Sequence, residues 1–188
     1  MPVVLSGVNQ LQRNLRRFQP DAAKALRKRV GAALKPLAAS AKNKVPTSAL
    51  SGWERATGGS FPRYDHSFIT RGIGYTTGST RFNNSGFNYV ASVFNASAVG
   101  AIAETAGRTN PNGQRWVGPH GPAGKRYSHS TNPNAGRQFI NALGPVGTGK
   151  AAGRYIFKAF DESQGKVTEA VVQAYEDAAI KFYGKGLK

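Results

Sequence analysis

Val8, Leu11, Leu15 and Phe18 recur at steps of three and four residues, the spacing that lines side chains along one face of a helix, and Ser6 stands ahead of them as a capping residue. Pro20 suits a first helical position, and from it Leu26, Val30, Leu34, Leu37, Ala41 and Val45 continue an apolar stripe. Arg27, Lys28, Arg29, Lys35 and Lys42 flank or oppose that stripe. Pro36 lies inside the pattern, where it removes an N–H donor and crowds the preceding turn, and Val45-Pro46-Thr47 closes it. The pattern predicts one long, kinked amphipathic helix within residues 1–46.

Between 60 and 106 the period shortens. Ser67-Phe68-Ile69-Thr70 and Ile73-Gly74-Tyr75 predict a short strand, and the aromatic and β-branched run at 87–94 a firmer one. Thr77-Gly78-Ser79-Thr80 and Asn83-Asn84-Ser85-Gly86 are turn signals between them. Residues 98–106, small and apolar, predict a short helix carrying Glu104. Residues 107–150, rich in Gly, Asn, Pro and Arg, predict an extended loop or arm with a brief ordered element at 139–143. Within 151–188, Val167, Val171, Tyr175, Ala178 and Phe182 form the stripe of a closing helix. Asp161, Glu162 and Glu169 come early in it and Lys181 and Lys185 late, the polarity a helix dipole favours. These elements predict a single α+β domain over 1–188: a long kinked N-terminal helix, a small antiparallel sheet, a long loop and a C-terminal helix, with no internal repeat.

Composition changes this picture mainly through charge. The chain's 188 residues suit one domain, and 39% of them are hydrophobic, although 23 Gly and 10 Pro imply much irregular backbone. Against 9 acidic residues stand 26 Lys and Arg, a formal +17, which implies a polyanionic neighbour, either nucleic acid or an acidic protein surface. The distribution is uneven: Asp21 is the lone acid in residues 1–50, and 105–160 contain none. Glu104, Asp161, Glu162 and Glu169 are the candidate acidic interface, which a basic helix of a neighbouring copy could meet. No cysteine is present, which excludes disulfides, thiolate nucleophiles and cysteine metal sites and fits assembly in a reducing cytoplasm. No apolar run approaches the roughly 20 residues that span a bilayer, and Met1-Pro2-Val3-Val4-Leu5 lacks the basic start of a secretory signal.

Catalytic patterns are sparse. His66, His120 and His129 have no metal-ligand spacing, and only Asp65 adjoins one of them, so a general-base, nuclease-like reading is weak beside one of surface histidines. Gly144-Pro145-Val146-Gly147-Thr148-Gly149-Lys150-Ala151 approaches a phosphate-binding loop, but Ala151 stands where Ser or Thr would hold magnesium. Asp161-Glu162 and Glu176-Asp177 are adjacent pairs, which diverge on a helix and make poor acid/base couples. No catalytic residue, metal site or cofactor is assigned. Arg108, Arg115, Lys125, Arg126 and Arg137, interleaved with Trp116 and Tyr127, can track a nucleic-acid backbone or serve assembly contacts, as can Arg27, Lys28 and Arg29 on the first helix.

Three stretches together resemble the tail-completion or neck proteins of long-tailed siphophages, particularly those of actinobacterial hosts. The first is Leu11 and Leu15 followed by the basic helix into Ala38-Ala39-Ser40-Ala41-Lys42-Asn43-Lys44-Val45-Pro46 and then Ser51-Gly52. The second is Tyr89-Val90-Ala91-Ser92-Val93-Phe94-Asn95 leading to Gly100-Ala101-Ile102-Ala103-Glu104-Thr105-Ala106-Gly107-Arg108. The third is Gly153-Arg154-Tyr155-Ile156-Phe157-Lys158-Ala159-Phe160 before the closing helix. The 107–150 region is longer than in the shorter members of that family. The resemblance implies a non-enzymatic virion component at the head–tail junction, a homo-oligomeric ring of six- or twelve-fold arrangement. Its partners would be the other head–tail joining proteins, the tail terminator or tail tube, and packaged DNA, with no membrane. The residues alone leave two other classes open: a basic nucleic-acid-binding protein and a small nuclease-type toxin.

Overall fold

The structure, a computed structural model, describes residues 7–48, 53, 63–77, 91–124, 127–147 and 152–184, without the Gln164 side chain. The first apolar stripe forms helix α1 (Val8–Phe18), which buries Val8, Leu11 and Leu15 and leaves Phe18 63% exposed. Gly7, at φ 80°, precedes it with no side-chain cap, and Ser6 lies outside the described residues. Helix α2 (Pro20–Asn43) follows after one residue, Gln19, at φ −142° and ψ 70°.

The expected single kinked helix is therefore two helices, and the break falls at Gln19 rather than Pro36. The proline ring at position 20 disfavours the helical region for the residue before it, while its missing N–H costs nothing at the start of a new helix. Pro36 sits in the interior of α2 with Ala32 one turn earlier, and both face solvent, where water can satisfy the carbonyl that proline leaves without a donor.

Ser67 to Thr70, expected in a strand, belong to helix α3 (His66–Gly72). Asp65 decides this locally: its Oδ1 accepts from the Phe68 N–H at 2.9 Å and from the Ser67 hydroxyl at 2.7 Å, a side-chain N-cap. Strands β1 (Ile73–Thr76) and β2 (Ser92–Asn95) then form the small antiparallel sheet, with Gly74 against the Phe94 ring and the Ala96 N–H donating to Gly72 O at 2.9 Å. Of the predicted 87–94 strand, 92–94 lie in β2 and 87–90 lie outside the described residues.

The predicted short helix is α4 (Ala98–Thr105). Ser97 caps it: its Oγ accepts from the Gly100 N–H at 3.0 Å while donating to Asn95 Oδ1 at 2.7 Å. Ser97→Ala removes this cap, and an expected loss of about 1 kcal/mol is readable by thermal unfolding. An unchanged midpoint would show that Asn95 alone holds the turn.

The 107–150 stretch is not a featureless arm. It contains β3 (Arg115–Trp116) and β4 (Tyr127–Ser128), paired in parallel over two residues each, and helix α5 (Ala135–Leu143), longer than the element expected at 139–143. Helix α6 (Ile156–Tyr183) closes the described chain.

Contacts divide the chain into two compact units. The first comprises Met1–Ser40, Gly74–Phe94 and Phe160–Lys188. Its core joins Leu11 and Leu15 of α1, Leu26, Val30 and Leu34 of α2, and Ala174, Tyr175 and Ala179 of α6. Val167, Val171, Ala178 and Phe182, the rest of the predicted α6 stripe, pack around it. The Tyr75 ring lies against α2 at Gly31, where a Cβ would make ordinary van der Waals contact with it. The second unit comprises Ala41–Ile73 and Asn95–Ala159. It buries Ala41, Val45, Ile69, Ile73, Val99, Ala103 and Tyr155, and sets Trp53 edge-on to Phe139 with ring centroids 5.0 Å apart.

Candidate functional site

In the first unit, α1 and α2 turn Arg13, Arg16, Arg17, Lys24, Arg27, Lys28, Arg29 and Lys35 outward, all exposed. Asp21 is their only acidic residue. At about 100° per residue, Lys24, Lys28 and Lys35 fall within roughly 40° of one another on α2, so they form one longitudinal row.

The acidic partner expected from a neighbouring copy is met partly within the chain. Arg29 Nη2 lies 2.7 Å from Asp177 Oδ2 of α6, and Gln173 Nε2 donates to the other carboxylate oxygen at 2.8 Å. These two hydrogen bonds, Gln173 first, hold the Asp177 carboxyl below its usual range. Arg29 thus pairs within the chain while staying exposed, as Arg27 and Lys28 are.

Beneath the basic face, Gln12, Leu15 and Arg16 of α1, Ala23, Leu26 and Arg27 of α2, and Tyr175 of α6 enclose a crevice of about 10 Å³. Gln12, 7% exposed, donates from Nε2 to the Tyr175 hydroxyl at 2.6 Å, and its Oε1 has no hydrogen-bond partner. Burial raises the Tyr175 pKa above the ordinary phenol value, opposed by the Gln12 hydrogen bond and by the charges of Arg16 and Arg27.

The second unit is organised around Glu104, 5% exposed at the end of α4. Its Oε2 accepts from the backbone N–H groups of Tyr155 at 2.8 Å and Ile156 at 3.2 Å, and its Oε1 from that of Phe157 at 3.1 Å. These are the orphan donors of the α6 N-terminus, where a negative charge is also favoured by the helix dipole. Glu104, expected at an acidic interface, is buried here, with its carboxylate engaged by a helix start 51 residues away. Asp161, Glu162 and Glu169 lie beyond the first turn of α6, which contains no acid, so the dipole service expected of them falls to Glu104. All three are exposed.

Arg154, 6% exposed, braces the same place, donating from Nε to Gly144 O at 2.9 Å and from Nη1 to Ala103 O at 3.1 Å. Burial draws its pKa below the ordinary guanidinium value, opposed by Tyr155 and Glu104. Arg108 donates to Ala152 O and lies over the Phe157 ring, 5.0 Å from its centroid. Expected among the assembly or DNA-facing residues, Arg108 is half-buried at the α4–α6 corner. Arg115 and Arg137 are exposed, and Lys125 and Arg126 lie outside the described residues.

His66 Nδ1 is 2.9 Å from Pro46 O, His129 Nδ1 is 3.2 Å from Gly118 O, and His120 is exposed. Among the described residues, no group of three or more His, Asp or Glu is placed to hold a metal ion. The glycine-rich 144–151 stretch follows a helix rather than the strand a phosphate loop requires, with Gly144 at φ 78° ending α5; 148–151 lie outside the described residues. A cleft of about 650 Å³ lies within the second unit, walled by Ile102, Ala106, Phe139 and Ile140 with no ionisable side chain in its lining. No helix among the described residues is long and apolar enough to cross a membrane.

Sequence reasoning gave no part in these clusters to Gln12, Arg16, Tyr175 or Arg154. Gln12 had a readable signal, a polar residue one turn after Val8 on a buried face; Arg154 had none. A scan against protein-family models and searches of curated proteins and of solved structures each return no match.

Proposed function

We propose that this chain is a non-enzymatic structural protein of a tailed-phage neck. In this reading it forms a homo-oligomeric ring that joins the head-closure layer to the tail and turns its α1–α2 face to the packaged DNA. The observation that carries the reading is that face: exposed cations of one sign on two consecutive helices, with a single acid among them. Such a surface suits a partner with regularly spaced phosphates. A ring follows from heterologous contacts between copies when their rotation closes.

Imaging the head–tail junction of the virion at side-chain resolution tests the proposal. A ring whose density fits this chain is the expected result, and absence of the chain from the particle overturns it. The same basic face also favours a second reading, a nucleic-acid-binding protein that acts outside the virion. That reading predicts the chain on intracellular nucleic acid and not in purified particles.

A further inference from the structure

We propose that the crevice between Arg16 and Arg27 is a binding subsite for one anionic oxygen of a nucleic-acid phosphodiester. This rests on the reading that the α1–α2 face meets a polyanion, and it names the place on that face where a phosphate is held rather than merely attracted.

Three observations converge there. Arg16 from α1 and Arg27 from α2 line the same opening, and no acidic side chain is among the residues that form it. Its volume, about 10 Å³, is at the lower limit for admitting one water-sized group. Its floor is the Gln12–Tyr175 pair, whose hydrogen bonding is incomplete: Nε2 donates to the tyrosyl oxygen, and Oε1, on a side chain 93% buried, has no donor.

Turning the amide by 180° exchanges which of its two groups lacks a partner. Tyr175 then donates its O–H to Oε1, and the amide N–H₂ is left as a donor to the crevice. An anionic oxygen satisfies that donor from inside, while the two guanidiniums satisfy it from above with charge-assisted hydrogen bonds. Lys24 and Lys35 carry the same charge on α2 but do not line the crevice, so they provide the control.

The test measures binding of the full chain to a short fluorescent DNA duplex across a range of KCl concentrations. It compares the wild type with Arg16→Gln/Arg27→Gln and with Lys24→Gln/Lys35→Gln. All four side chains are exposed, so the fold tolerates both changes. The expected result is an affinity about tenfold lower for the crevice pair than for the lysine pair, with the salt-dependence slope reduced by about 0.9, one phosphate's share. Equal losses in both variants overturn the subsite and leave a diffuse field. Absence of salt-dependent duplex binding by the wild type overturns the polyanion reading beneath it. A parallel thermal-unfolding series with inorganic phosphate separates the sources. If phosphate stabilises the wild type but not the crevice variant, while the duplex binds all three alike, the site is one for free phosphate and the nucleic-acid assignment fails.

Discussion

Glu104→Ala lowers the thermal unfolding midpoint by roughly 10 °C. The substitution leaves three α6 amide N–H groups without their acceptor and removes the nearest compensating charge from Arg154, which is itself almost wholly buried. Removing one partner from a buried charged arrangement costs about 3–5 kcal/mol, because the groups left behind keep their desolvation penalty. For a chain of this size each kcal/mol moves the midpoint by about 2–4 °C. Glu104→Gln keeps an acceptor oxygen but loses the charge, so its expected cost is about half as large. Calorimetry on the three proteins decides the point. A drop of less than about 2 °C for the alanine variant would mean that water replaces the carboxylate at the helix start.

Gly153→Ala costs about 3 kcal/mol by a different route to the same place. A Cβ at position 153 would collide with Glu104 Oε1 and come within 2.5 Å of the Phe157 ring. The carboxylate can yield only by leaving the α6 amides, and the ring only by leaving Arg108. The two effects are therefore coupled. In a protein already carrying Glu104→Ala, the added cost of Gly153→Ala falls to about 1 kcal/mol, an interaction of about 2 kcal/mol in a double-mutant cycle. Strict additivity would show that position 153 acts through the backbone and not through the carboxylate.

The helices were legible in residue spacing wherever a buried stripe drove them. Leu11, Leu15, Leu26, Val30, Leu34 and Tyr175 were all assigned to the faces they bury. Spacing reports a face but not what it faces. The basic N-terminal segment and the acidic closing helix were read as complementary between copies, and Arg29 meets Asp177 within one chain. Local chemistry misled where one residue decided: Asp65 turns a strand-like Ser-Phe-Ile-Thr into a helix, and Pro20 breaks a helix that Pro36 was expected to bend. Glu104 shows the deeper limit. On a small-residue helix it reads as a surface acid, and nothing near it in the sequence names partners 51 to 53 positions away. The crevice has the same character, since it is built by three helices and signalled only by one polar residue on an apolar face.

The carboxylate at the head of α6 comes from another helix, since its own first turn contains no acid. The first amides of most helices trade their hydrogens with water almost freely. Those of Tyr155, Ile156 and Phe157 can do so only when Glu104 lets go, so their exchange rates in deuterated solvent become a clock for the opening of the α4–α6 corner.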